Sequence, residues 1–192
     1  VSLRIAAAAM VVAVLAVLAW RSELFTVEKP GAVPRPLAIA PEASRPHAQF
    51  DASLPMVPVG VEHLSPGGEV LLVHYWAPWE RHGGAQAITL DSLRRSLEPG
   101  ALRLAVVCFD PYPSVSRYVG RMRLRLPVLL DLDRALARHL PCPSIPYTYV
   151  IDRAGRIAVA QPGEVDWLAR ETRAALDTLL AEPRPLPRAV AS

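Results

Sequence analysis

Glu80 stands where the chain turns from an apolar β-rich run, Val70-Leu71-Leu72-Val73-His74-Tyr75, through Trp76-Ala77-Pro78-Trp79 into a helical pattern. That junction reads as the end of a buried strand feeding a helix, and helix N-termini are where proteins hold anions and activated thiolates. The next residues are Arg81-His82-Gly83, so a carboxylate and an imidazole, not a sulfur, occupy the place. A carboxylate gains the same helix-dipole stabilisation as a thiolate but forms no disulfide. The sequence has two cysteines, Cys108 and Cys142, both far along the chain. They leave three readings open: unpaired residues, a structural disulfide, or a redox pair. His74, Glu80 and His82 are the residues that could be imagined as copper or zinc ligands, against a hydrogen-bonded core histidine at 74 and a solvated one at 82.

Trp76-Ala77-Pro78-Trp79 resembles the approach to Cys-x-x-Cys in the thioredoxin superfamily. Ser144-Ile145-Pro146-Tyr147-Thr148-Tyr149-Val150-Ile151-Asp152-Arg153-Ala154-Gly155 is similar to that superfamily's Gly-Ile-Pro-Thr-x-x-x-Ile-Asp-x-x-Gly segment. Val128-Leu129-Leu130-Asp131 and the stretch before it resemble the insertion of the membrane-tethered TlpA/ResA type, which serves extracytoplasmic thiol reduction and cytochrome c maturation. The resemblance implies that Glu80 and Gly83 replace the two cysteines, that Pro146 is cis, and that the edge beside it pairs with an extended substrate segment. It implies no catalytic residue at 80 or 83, no cofactor and no metal. Trp79, Glu80, His82, Ile145 and Pro146 are then the expected contact set for a partner, an extracytoplasmic protein or extended peptide segment. A thiol-disulfide oxidoreductase working through Cys108 and Cys142, and a metal-delivery protein, are the rival readings. Arg117, Arg121, Arg123, Arg125 and Arg134 crowd the inserted region, as a solvated face or a docking patch.

These residues require a scaffold, and 192 residues suffice for one α/β domain with extensions. The expected fold is a thioredoxin-like three-layer sandwich over 51–181 with a central mixed sheet. Strands are expected at 70–76, 102–109, 127–130, 147–152 and 156–161, and helices at about 84–98, 114–122, 132–140 and 165–181. Leu168, Ala175, Leu176, Leu179 and Leu180 make the apolar side of the last helix.

Residues 5–20 form an uncharged Ala/Val/Leu run between Arg4 and Arg21. The stretch 1–21 reads as a signal anchor, or as a signal peptide cleaved to leave a secreted domain. The domain is expected to face the periplasm or cell exterior, with membrane contact through 5–20. A Pro-rich linker follows at 22–50, within a run of eight prolines from 30 to 66, and 182–192 is a Pro-rich tail. A net charge of +3 is too small to argue for nucleic acid as a partner.

Overall fold

The computed structural model describes residues 33–183. The expected anchor, the first part of the linker and residues 184–192 lie outside them. No helix among the described residues is long and apolar enough to cross a membrane.

Seven strands form one sheet: β1 Ala52–Val57, β2 Val61–Leu64, β3 Val70–Tyr75, β4 Leu102–Cys108, β5 Val128–Leu130, β6 Tyr147–Ile151 and β7 Ile157–Pro162, in the order β2-β1-β5-β4-β3-β6-β7. β3, β4 and β5 run parallel, whereas β1, β6 and β7 join antiparallel to their neighbours. The sheet is therefore mixed, as expected. Every residue of β3 is buried, which is what a six-residue apolar run at the centre of a sheet covered on both faces requires.

Among the described residues three α-helices alternate with the strands: α1 Gly83–Ser96, α2 Tyr112–Met122 and α3 Arg170–Ala181. Strand alternation divides the core in two. Val70, Leu72 and Trp76 point to one face with Leu90 and Leu93 of α1, Val115 of α2, and Leu176 and Leu179 of α3. Leu71, Val73 and Tyr75 point to the other, where Phe50, Leu136 and Leu140 pack.

That second face corrects the expected helix over 132–140. The segment is a series of turns because the Asp131 carboxylate accepts hydrogen bonds from the amides of Leu136 (3.1 Å) and Ala137 (2.9 Å), and Arg134 is left-handed at φ 57°. The last helix also starts later than 165. Asp166 makes a turn, its carboxylate taking the Leu168 amide at 3.2 Å, and Leu168 is 65% exposed, not on the apolar side.

The hairpin β1–β2 is an addition to the expected elements. Residues 33–50, expected to be linker, are extended apart from one 3-10 turn at Glu42–Ser44, and they dock along β7 and α3. Ala40 N–H donates to Ala158 O (2.8 Å), Ile157 N–H to Pro46 O (2.8 Å) and Ala48 N–H to Gly155 O (2.9 Å), covering an edge that would otherwise offer unpaired backbone groups. Arg45 locks this strap: its guanidinium, 4% exposed, reaches Asp152 (3.0 Å) and Glu182 (2.7 Å).

The Asp152-Arg153-Ala154-Gly155 turn joins β6 to β7. Gly155 takes φ 78°, where a side chain would be strained, and its amide donates to Asp152 O at 2.9 Å.

Candidate functional site

The C-terminal end of β3 builds the site. Trp76 N–H donates to Val107 O (2.8 Å), and Trp76 and Ala77 are buried, but the chain then turns outward and leaves Trp79 67% exposed. Two turn bonds, Glu80 N–H to Ala77 O and Gly83 N–H to Glu80 O (3.2 Å each), lead into α1. Glu80 lies ahead of the helix rather than in its first turn, and its carboxylate accepts the His82 amide at 2.9 Å.

Gly83 has no room for a side chain. A Cβ built there would collide with Nε1 of the Trp76 indole and lie 2.8 Å from Ala77 O. The indole thus fills the space into which a residue at 83 would project.

The cis bond Ile145–Pro146 comes alongside because Tyr147 pairs with Tyr75, which sets Pro146 level with Trp76. Pro146 O in turn accepts the Gly163 amide (2.9 Å), drawing in the β7–α3 loop. From that loop Glu164 reaches His82 with Oε1 2.6 Å from Nδ1. The hydrogen bond to Glu164, and its charge, raise the His82 imidazole above its usual range. Glu80, His82 and Glu164 each offer a ligand atom, all within 4.8 Å of one another. Among the described residues this is the group of His, Cys, Asp and Glu side chains able to hold a metal ion.

His74 does not join them. It is fully buried, with Nδ1 3.0 Å from Thr148 Oγ1 and its ring edge-on to Trp167 at 5.3 Å. Burial lowers its pKa to about 4, so it is a neutral core histidine at neutral pH.

The cysteines are both free. Cys108 belongs to the helix-covered core cluster and Cys142 packs against the other, so the sheet lies between them. Burial pushes each thiol up to about 12. A thiol with so high a pKa is a poor nucleophile, and the pairing that a relocated redox centre needs is not formed.

Beside Trp79 a groove of about 210 Å³ is lined by Pro78, Ser114, Arg117, Tyr118 and Arg121. Arg121 sits 5.3 Å over the Tyr118 ring, which meets Trp76 edge-on at 5.2 Å. Trp79 and the arginines of α2, separate surfaces in the sequence, are thus two walls of one groove. Glu164 and Tyr118 are the site residues that sequence reasoning missed; no local motif marks either, since only the β7–α3 turn and the α2 packing bring them in.

No protein-family model and no curated protein matches the sequence. Solved structures do. A proposed thiol:disulfide interchange protein DsbE from Chlorobium tepidum superposes with a TM-score of 0.63 at 17% identity, over 71% of this chain and 98% of that one. A proposed thiol-disulfide oxidoreductase from Bacteroides vulgatus gives 0.62 at 20%, over 73% and 99%. The exposed lipoprotein thioredoxin Etrx1 from Streptococcus pneumoniae strain TIGR4 gives 0.59 at 20%, over 67% and 99%. Identities this low speak for architecture alone, and the architecture is unambiguous: the chain has the thioredoxin-like fold, with Glu80 and Gly83 in the loop where the resemblance implies a cysteine pair.

Proposed function

We propose that this is a redox-inactive thioredoxin-like domain that binds an extended segment of an extracytoplasmic protein at the former dithiol surface. One observation carries the reading: the Trp76 indole fills the space that a side chain at Gly83 would need, so the loop is packed for a chain without the second thiol. Dithiol exchange needs one sulfur to attack and another to resolve the mixed disulfide, and neither position has one. What persists is a binding surface. Trp79 is an exposed aromatic, and Glu80 and His82 supply polar groups; Pro146 has no N–H and its carbonyl takes the Gly163 amide, so the half-buried Ile145 before it is the residue left to offer a backbone edge to an extended peptide.

Arg117 and Arg121 on the facing wall favour a segment with acidic side chains. The resemblance to the TlpA/ResA type supports reading that partner as a component of envelope redox or cytochrome-maturation assembly, and residues 5–20 as the segment that holds the domain at the membrane. The Cys108–Cys142 oxidoreductase reading lacks support from the geometry, because the buried Cys108 and the partly buried Cys142 lie on opposite faces of the sheet.

The test pairs an activity assay with a binding assay. The protein is expected neither to reduce insulin disulfides nor to oxidise a dithiol peptide. A partner captured from solubilised membranes should bind Trp79→Ala about 30-fold more weakly, the ~2 kcal/mol of a central aromatic anchor. Turnover that disappears in Cys142→Ser, or a folded Trp79→Ala protein that binds as tightly as the parent, overturns the proposal.

A further inference from the structure

We propose that Glu80, His82 and Glu164 form a divalent-cation site of the kind that takes Zn2+, at the junction of the β3–α1 and β7–α3 loops. The donors come from two segments eighty residues apart, and the fold brings their ligand atoms within 4.8 Å. Two donors each about 2.1 Å from a common ion lie no more than about 4.2 Å apart. In a tetrahedral set the donors lie about 3.4 Å apart, so the widest separation has to close by no more than about 1.4 Å while the His82–Glu164 pair, now 2.6 Å, opens slightly, both within the reach of side-chain torsions on loops.

Charge favours the same conclusion. Two carboxylates converge on one imidazole, giving the cluster a formal charge of −2 when the ring is neutral. The N-terminus of α1 adds back only about half a positive charge. With Arg81 also acting on His82, the remaining negative charge attracts a cation, and the donor set decides which one. One nitrogen and two carboxylate oxygens suit a borderline ion such as Zn2+, and a partly exposed set of three protein ligands leaves a coordination position for water or for a donor from another molecule.

The surroundings fit an accessible centre. His82 and Glu164 line a cleft of about 460 Å³ that also includes Gln86, Asp166 and Trp167, so ligands can approach from its open side. The imagined trio with His74 is replaced by one in which Glu164 supplies the third donor.

The experiment is calorimetric titration of the chelator-stripped full chain with zinc chloride, alongside Glu164→Gln, Glu80→Gln and His82→Ala proteins and a Cys108→Ser/Cys142→Ser protein. One Zn2+ per chain is expected, with Glu164→Gln and His82→Ala each weakening binding at least ~10-fold and the cysteine variant binding like the parent. Glu80→Gln changes a single loop carboxylate, and should weaken binding even where another variant is too unstable to titrate. Absence of zinc binding, binding that all three site variants leave unchanged, or binding that is lost with the cysteines overturns the proposal.

Discussion

The α-carbon of Gly83 abuts the indole of Trp76 so closely that any Cβ at 83 would collide with Nε1. Trp76 is itself fixed: it is 1% exposed, its amide bonds to Val107 O, and Tyr118 lies edge-on against its ring. The aromatic side chain and the missing thiol are thus two aspects of one packing solution.

It follows that restoring the sequence motif will not restore the chemistry. Gly83→Ala alone is expected to destabilise the fold by about 1–3 kcal/mol, the usual cost of forcing atoms into a filled core. Glu80→Cys/Gly83→Cys should be less stable still and inactive towards insulin. Urea denaturation measures the first effect; a Gly83→Ala midpoint equal to that of the parent would show that the indole moves aside freely.

His74 makes stability depend on pH. Its pKa is lowered by burial from 6.5 to about 4 in the fold, so between those values the unfolded chain holds a proton that the folded chain does not. The contribution is complete above pH 6.5 and is lost as pH falls towards 4, on the order of 3 kcal/mol in all. His82, raised by Glu164, works in the opposite direction from the surface. His74→Gln should therefore flatten the acid limb of a stability–pH curve by about one proton. Parallel curves for the two proteins would count against a neutral buried imidazole.

Arg45 is the lock of the docked strap. Removing its guanidinium takes one of two ionic partners from the fully buried Asp152 carboxylate, which keeps Arg156 at 2.9 Å and the amides of Ala154 and Arg156. Arg45→Met is expected to cost about 3 kcal/mol, the lower end for breaking a buried pair. It should also speed hydrogen exchange at the amides of Ala40 and Ala48, which bond to Ala158 and Gly155. Unchanged protection at those amides would mean that the strap is held by apolar contacts such as Leu37 alone.

Those contacts also mark where the sequence was legible and where it was not. β3 and the Leu104–Cys108 part of β4 announced themselves as apolar runs, and Asp152-Arg153-Ala154-Gly155 as a hairpin turn, because each signal is local. The strap and β1 carried a signal too: Ala48, Phe50, Ala52 and Leu54 are buried with exposed residues between them, a strand alternation masked by the surrounding prolines. Proline density describes backbone that cannot be helical, but it does not say whether that backbone is free. The turns over 132–140 were hidden because their apolar spacing is helical, while the competing Asp131 carboxylate acts from outside the segment. Glu164 was illegible for another reason. Its significance exists only after Tyr75–Tyr147 pairing and the Pro146–Gly163 hydrogen bond have carried it across the sheet to His82.

The strap has a mechanical meaning for whatever precedes it. Arg35 bonds through both backbone groups to the β7–α3 loop, its amide to Glu164 O (3.1 Å) and its carbonyl to the Asp166 amide (2.9 Å), while Val33 and Pro34 line the cleft beside His82. Tension on the first 32 residues would therefore arrive at the loop that carries Glu164 before it reached the sheet. The His82–Glu164 contact in turn ties that loop to the Trp79–His82 segment, so the chain ahead of the strap stands one side-chain contact away from the candidate surface.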